Sequence, residues 1–384
     1  MIYLDNAATS FPKPVVVYRE TTRCMREYCA NPGRGGHAMS IKAGKAITEA
    51  RETVSNFFNI RDPMQLCFTK NATEALNMAI KGIMRPCAHV ITTGMEHNSV
   101  MRPLKTLERD LGIHVTILPG NSYGEIAPED IKKNIRRNTV LIVSTLSSNV
   151  NGVIMPVDEI GRISRDMGIP FLLDASQGAG TLPVDVERQN IDLLAFPGHK
   201  GLMGPQGTGG LYVREGVKLR SLYEGGTGSN SESMYQPEIM PDHFESGTLN
   251  TPGIIGLAQG IRFINERGIE NIRKHKQKLT ARLLEGIGDI AGAKLYSKSE
   301  MSSNSGIAAV NLDGGDPSEL SYILDKEYGI ATRAGYHCSP LAHKTLGTSE
   351  TGLVRFSPGC FNSNADIDFV IRAMEKITAK MKKT

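Results

Sequence analysis

The chain contains no run of the ~18 continuous apolar residues that a bilayer-spanning helix needs, and its opening MIYLDNAATS lacks the basic region and apolar stretch of a secretory signal. A cytoplasmic protein is therefore expected, with no membrane partner. Its six cysteines (Cys24, Cys29, Cys67, Cys87, Cys338 and Cys360) form no CxxC pair and no zinc spacing, which argues against a disulfide framework and for free thiols in a reducing compartment. Charge of one sign is also scarce: Lys and Arg total 44 against 40 Asp and Glu, a net charge of +4. That balance is too dilute for a nucleic-acid groove, and the two locally basic stretches, KKNIRR and KMKKT, read as solvated helix faces. Internal repeats, low-complexity tracts and a Walker A loop ending in GK[ST] are likewise missing.

What is present is an ordinary globular composition, 40% apolar and 22% charged over 384 residues, enough for one large domain and one smaller. From residue 65 onward seven short apolar runs, QLCFT, HVITTG, HVTIL, VLIVST, PFLLDA, DLLAFP and GGLYVR, alternate with segments of helical periodicity. Runs of this kind bounded by Gly, Pro and Asn read as buried strands of a mostly parallel seven-stranded sheet in an α/β domain. Residues 224–250, rich in Gly, Ser and Asn and without period, read as a long functional loop. Helices are expected at about 252–267 and 269–288, short strands near AAVNL and LVRFSP, and a last helix from about 364. The expected division is a large domain over 16–250, and a smaller α+β domain made of 1–15 and 251–384.

In an open parallel sheet, ligands bind beyond the carboxyl ends of the strands. In TKNATEALN, the free amides of a helix N-terminus and the Thr73 hydroxyl form either a phosphate cradle or a plain cap. His97, in MEHNS, is either a structural residue of a loop-to-helix junction or a ring that stacks on an aromatic cofactor. Asn149, after VLIVST, is a ligand contact or a turn residue. Asp174 ends an apolar strand, where a carboxylate requires a cationic partner, and a protonated pyridine nitrogen is one candidate. Gln177 lies three residues further on. Lys200 sits in the glycine-rich turn FPGHKGLMG beside His199, a setting that lowers a lysine's pKa and suits a Schiff base with an aldehyde. Taken together these residues describe a pyridoxal phosphate site.

The order of YLDNAATS, TKNATEALN, MEHNS, SSNVNG, LLDASQ, FPGHKGLMGPQGTG, FESGTLNTPG and TRAGYHC over residues 3–338 resembles the class V aminotransferase family, and within it the cysteine desulfurases. The resemblance implies a fold type I, pyridoxal-phosphate-dependent homodimer that acts on L-cysteine. It also implies roles: Lys200 carries the Schiff base, His97 stacks on the ring, Asp174 meets the pyridine nitrogen and Gln177 the phenolic oxygen. Asn149 lies beside the ring and the substrate, Ala72, Thr73 and His199 bind the phosphate, and Thr248 reaches the phosphate of the other subunit. Arg355 grips the substrate carboxylate. TRAGYHC and the short segment after it are similar to group II, Suf-type enzymes, with Arg333 and Cys338 in that motif's places and Cys338 as the sulfur-accepting nucleophile. A sulfur-acceptor protein is implied as partner.

One departure stands out. Many group II enzymes place a phosphate-binding serine two residues before the histidine, where this chain has Pro197, with neither hydroxyl nor N–H. Thr73, His199 and Thr248 are then expected to carry more of the phosphate. Nearby cations or His337 are expected to favour the Cys338 thiolate, and His343 is read as structural. A metal site made of Cys338, His337 and His343 is disfavoured, because adjacent loop residues rarely face one ion and no carboxylate or second cysteine is close. The alternatives carried forward are a selenocysteine lyase, another class V enzyme acting on a different amino acid, and a cofactor-free sulfur carrier.

Overall fold

The computed structural model describes residues 1–33 and 35–381. The chain opens with a short strand, β1 (Ile2–Tyr3), and two helices, α1 (Val15–Glu27) and α2 (Ala38–Phe57). The seven apolar runs then form β2 (Leu66–Thr69), β3 (His89–Thr93), β4 (His114–Leu118), β5 (Thr139–Thr145), β6 (Phe171–Asp174), β7 (Leu193–Pro197) and β8 (Gly209–Val213). They make one sheet in the order β2-β8-β7-β6-β5-β3-β4, parallel from β4 through β7, with β8 antiparallel to both of its neighbours. Every residue of β2, β3, β6, β7 and β8 is buried. Helices cover both faces, so these strands are written as continuous apolar runs rather than alternating ones. Edge strand β4 is mostly part-exposed.

The crossovers are α3 (Ala72–Ile83), α4 (Asn98–Leu111), α5 (Pro128–Lys133) and α6 (Val157–Met167). Each longer helix buries one stripe; in α4 it is Val100, Met101, Leu104 and Leu107, at three- and four-residue spacing. From β3 the chain runs outward to β4 and returns across β3 to β5, so a crevice opens beyond the carboxyl ends of β3, β5 and β6.

After β8 the segment 224–250 holds no helix or strand. It is fixed by Glu245, whose two carboxylate oxygens each accept from the buried Arg51 guanidinium at 2.8 Å and which also takes the Phe68 N–H at 2.6 Å. Then come α7 (Thr251–Arg267), packed on α1 and α2, and α8 (Ile269–Gly288).

The remainder forms β9 (Ala293–Leu295), β10 (Ala308–Leu312), α9 (Pro317–Tyr328), β11 (Ile330–Ala331), β12 (Arg333–Gly335), α10 (Pro340–Thr345), β13 (Leu353–Phe356) and α11 (Asn364–Met381). A four-stranded antiparallel sheet runs β12-β13-β10-β9. Its core gathers Leu283, Val310, Leu324, Val354 and Ile367 together with Leu4. Because β1 pairs with β11 in parallel, the N-terminal residues lie against this C-terminal sheet. Among the described residues no helix is long and apolar enough to cross a membrane.

Candidate active site

The strand ends bring Ala72, Thr73, His97, Asn149, Asp174, Gln177, His199 and Lys200 around one cleft, part of it open to solvent. At one end α3 begins: Asn71 caps it by accepting the Glu74 N–H at 2.9 Å, and the first-turn amides of Ala72 and Thr73 have no partner within the helix. His97 caps α4, its Nδ1 accepting the Ser99 N–H at 3.0 Å. That bond makes Nδ1 an acceptor and leaves the hydrogen on Nε2. The cap and the cleft-facing ring are therefore one arrangement, and the two readings of this histidine do not compete. Burial pushes the imidazole down to about 4, against the pull of Asp174 and with help from Lys200 and Arg333, so it is neutral at ordinary pH.

Asp174 ends β6 at 2% exposure, its Oδ1 accepting the Ser176 N–H at 2.9 Å. Lys200 follows β7. Burial lowers its ammonium to about 8, with Asp174 resisting and Arg355 and Arg333 adding to the drop. The Lys200 turn is held from outside by the N-terminal segment. The His199 carbonyl accepts from Ser10 N at 3.1 Å, Thr9 Oγ1 at 3.0 Å and Lys13 Nζ at 2.7 Å, and Ser10 Oγ donates to the Lys200 carbonyl at 2.8 Å. On its other side a Cβ on Gly201 would lie 2.2 Å from the Ala179 carbonyl oxygen, so backbone packs on backbone and only glycine fits. Gln177 Nε2 donates to the Ala7 carbonyl at 2.8 Å, tying the same segment to the cleft.

Pro197 also lines the cleft. Four hydroxyl residues given no role from the sequence line it as well, Ser99, Thr145, Ser147 and Ser176. Ser99 Oγ lies 2.8 Å from Thr73 Oγ1 and 2.9 Å from His97 Nδ1, so the cleft that Pro197 lines still carries hydroxyls at the start of α3 and α4. His199 Nδ1 is buried without a partner, and burial drives that ring down to about 4. Behind the cleft is Glu96, fully buried and also unanticipated. Burial raises its carboxyl to about 8, its Oε1 accepts from Thr93 Oγ1 at 2.7 Å and from Thr145 N at 2.9 Å, and its Oε2 has no partner.

The other predicted residues lie outside this lining. Arg355, 1% exposed, pairs through Nη2 with Asp5 Oδ1 at 2.7 Å and donates from Nη1 to the Asn149 carbonyl at 2.8 Å. Its Nε is buried without a partner. Asp5, quoted in a motif but given no role from sequence, thus fixes the guanidinium. Thr248 is exposed and lines a separate cleft with Lys70, Tyr223 and Ser246.

Cys338 is exposed on the turn after β12, with Arg333 Nη2 at 3.9 Å from its Sγ. Of the nearby cations or His337 expected to favour the thiolate, His337 brings no positive charge. Burial, reinforced by Arg355, pushes its imidazole down to about 3, and its Nε2 lies 3.1 Å from the Arg333 carbonyl oxygen, so the ring is a neutral donor turned inward. Arg333 is the cation that touches the sulfur. His343 is buried, 2.9 Å from Thr348 Oγ1 and stacked on His337 with centroids 5.8 Å apart.

The chain belongs to the class V aminotransferase family, whose model matches residues 2–370. A protein of Methanothermobacter thermautotrophicus named a probable cysteine desulfurase is 37% identical over 382 residues, covering 98% of this chain and 94% of that one. The apo structure of a cysteine desulfurase from Thermococcus onnurineus superposes with a TM-score of 0.94 at 34% identity, over 99% of this chain and 95% of the other. The Escherichia coli cysteine desulfurase CsdA, solved as an S-sulfonic acid, gives 0.89 at 26% identity, over 99% and 94%. The architecture is that of the fold type I enzymes.

Proposed function

We propose that the protein is a pyridoxal-phosphate-dependent cysteine desulfurase that converts L-cysteine to L-alanine and takes the sulfur as a persulfide on Cys338. The observation that carries this reading is the position of Arg333. Its guanidinium is 3.9 Å from the Cys338 sulfur and near enough to the cleft to lower Lys200 and His97. Asn149 joins the two places, lining the cleft with Lys200 and donating to the His337 carbonyl beside Cys338.

The cleft fits the cofactor on its own terms. The unpartnered His199 Nδ1, the Thr73 and Ser99 hydroxyls and the α3 amides suit a phosphate, Asp174 suits a protonated ring nitrogen, the His97 face suits the ring and Lys200 its aldehyde. Pyridoxal phosphate bound there supplies an electron sink for bonds at the substrate α-carbon. Lys200, lowered to about 8, is suited to move protons at that carbon. Arg355, oriented by Asp5 and with Nε open, receives the substrate carboxylate. Cys338, as thiolate beside the Arg333 guanidinium, attacks the substrate sulfur, and the substrate Cβ–S bond breaks with its electron pair going to the carbon, which takes a proton to give alanine. Alanine is released and the persulfide passes to an acceptor protein in the cytoplasm.

A homodimer belongs to the same proposal, with the exposed Thr248 of each copy completing the phosphate site of the other. So does the division into a cofactor-binding unit, 16–250, and a smaller unit, 1–15 with 251–384, bearing Cys338. Mass spectrometry after exposure to L-cysteine should find one added sulfur on Cys338 and none in Cys338→Ala, and Lys200→Ala should lose the visible absorption of the bound cofactor. Sulfide release from L-cysteine at the parental rate by Cys338→Ala would refute the nucleophile assignment.

A further inference from the structure

The backbone at the nucleophile is strained. His337 and Cys338 have φ of 50° and 58°, two consecutive non-glycine residues in the left-handed region, each costing on the order of 1 kcal/mol or more. Such a conformation persists only where neighbouring groups over-determine it. Here the determinants are few and specific. The Asn98 N–H donates to the Cys338 carbonyl at 2.8 Å. Asn149 Nδ2 donates to the His337 carbonyl at 2.6 Å, and Ser339 Oγ donates to Asn149 Oδ1 at 2.7 Å.

Burial follows the same plan: His337 is 3% and Ser339 0% exposed, while Cys338 between them faces solvent. The turn is pinned on both sides of the cysteine, and the thiol is the part left projecting. Both ends of the Asn149 amide are engaged by this turn, and its carbonyl is engaged by Arg355.

We infer that Ser339 is a positioning residue for the sulfur-transfer step: through Asn149 its hydroxyl latches the strained 337–338 turn to the end of β5 and so fixes where the Cys338 sulfur stands. The inference rests on the reading of Cys338 as the sulfur acceptor. Removing the hydroxyl leaves Asn149 Oδ1 without that donor and frees one side of the turn. Lys200, Asp174 and His97 keep every contact described above.

The test compares parent, Ser339→Ala and Ser339→Thr as holoenzymes. L-cysteine is titrated by the change in the visible spectrum, and the rate of sulfur appearance on Cys338 is followed by mass spectrometry. Amide hydrogen exchange of residues 334–342 is measured with and without cofactor. In Ser339→Ala, persulfide formation should slow about tenfold, the upper range for one buried hydrogen bond, and exchange in 334–342 should quicken in both forms. The spectral midpoint and KM should change far less than the rate, because Lys200, Asp174 and His97 keep their contacts. Ser339→Thr, which keeps the hydroxyl, should restore the rate.

A parental rate with parental exchange in Ser339→Ala would overturn the latch alone. So would a spectral midpoint shifted as far as the rate, since the hydroxyl would then act on the cleft. Failure of the parent to gain sulfur at Cys338 would overturn the nucleophile reading and the latch together.

Discussion

The Lys200 cleft and the Cys338 turn, joined through Asn149, are built on opposite terms. The cleft is lined by buried groups and over-determined: its lysine turn is held by at least four hydrogen bonds from residues 9–13, and its ionisable groups are driven off their ordinary values, Lys200 to about 8 and His97 to about 4. The turn is exposed at its key atom, strained in its backbone and held by a handful of contacts. Chemistry that shuttles protons needs groups whose ionisation the surroundings have moved, and burial does that. A sulfur that must be handed to another molecule has to stay accessible, so there the placement comes from backbone conformation instead. Substitutions in the two regions should therefore alter different observables.

The largest effect should come from the buried side. Glu96 is held protonated by burial up to about 8, opposed by its bonds from Thr93 and Thr145 and reinforced by the Asp174 charge. Below pH ~4.5 the folded and unfolded chains both keep this proton. As pH rises toward 8 only the unfolded chain loses it, so stability falls over that window, by on the order of 3–5 kcal/mol for one such group. Glu96→Gln keeps an oxygen that can accept from Thr93 and Thr145 and has nothing to ionise. Denaturant midpoints of parent and variant should lie close at pH 5 and separate by pH 8, with the variant more resistant. A gap of the same size at both pH values would mean that the cleft floor is not the desolvated region described here.

Asp5→Asn probes the seam between the two regions. It keeps the shape beside Arg355 and removes the charge that orients a guanidinium 1% exposed. Breaking a buried pair from one side costs about 3–5 kcal/mol, less where a partner reaches water as Asp5 does. KM for L-cysteine should rise about tenfold or more, with kcat changed far less, the pattern of lost ground-state binding. An unchanged KM would separate Arg355 from carboxylate recognition.

These residues were not equally visible in the sequence. The seven central strands were legible because burial on both faces writes continuous apolar runs, and Lys200, Asp174 and His97 were legible because they stand at the ends of such runs. Strands β9 and β12, of three residues each, are too short to show a period. Asp5 and Ser339 could not be found by spacing at all, since their partners lie 350 and 190 residues away. Only the folded chain, with β1 against β11 and the 337–339 turn against the end of β5, puts them to use. The inward turn of His337 was hidden for a related reason: a histidine beside a cysteine suggests a cation, and its burial is a property of the fold. Ser99, one residue inside a helix, reads as a neighbour of the cap until Thr73 is seen to stand against it.

That serine gives the smallest and most selective test. Its hydroxyl joins Thr73 and His97 in the cleft, whose Pro197 offers no donor. Ser99→Ala removes that hydroxyl but keeps the Ser99 N–H that His97 caps, so the ring stays in place. One lost hydrogen bond of ordinary worth, about 1 kcal/mol, should weaken pyridoxal phosphate binding roughly fivefold. Titration of the cofactor-free protein, followed by its visible absorption, measures this directly. In Ser339→Ala the same titration should not move, while hydrogen exchange of residues 334–342 should change there and not in Ser99→Ala. If Ser99→Ala instead loosened the Cys338 turn, or Ser339→Ala released the cofactor, the two regions would be a single mechanical unit, and the division between a buried cleft and a strained, exposed turn would fail.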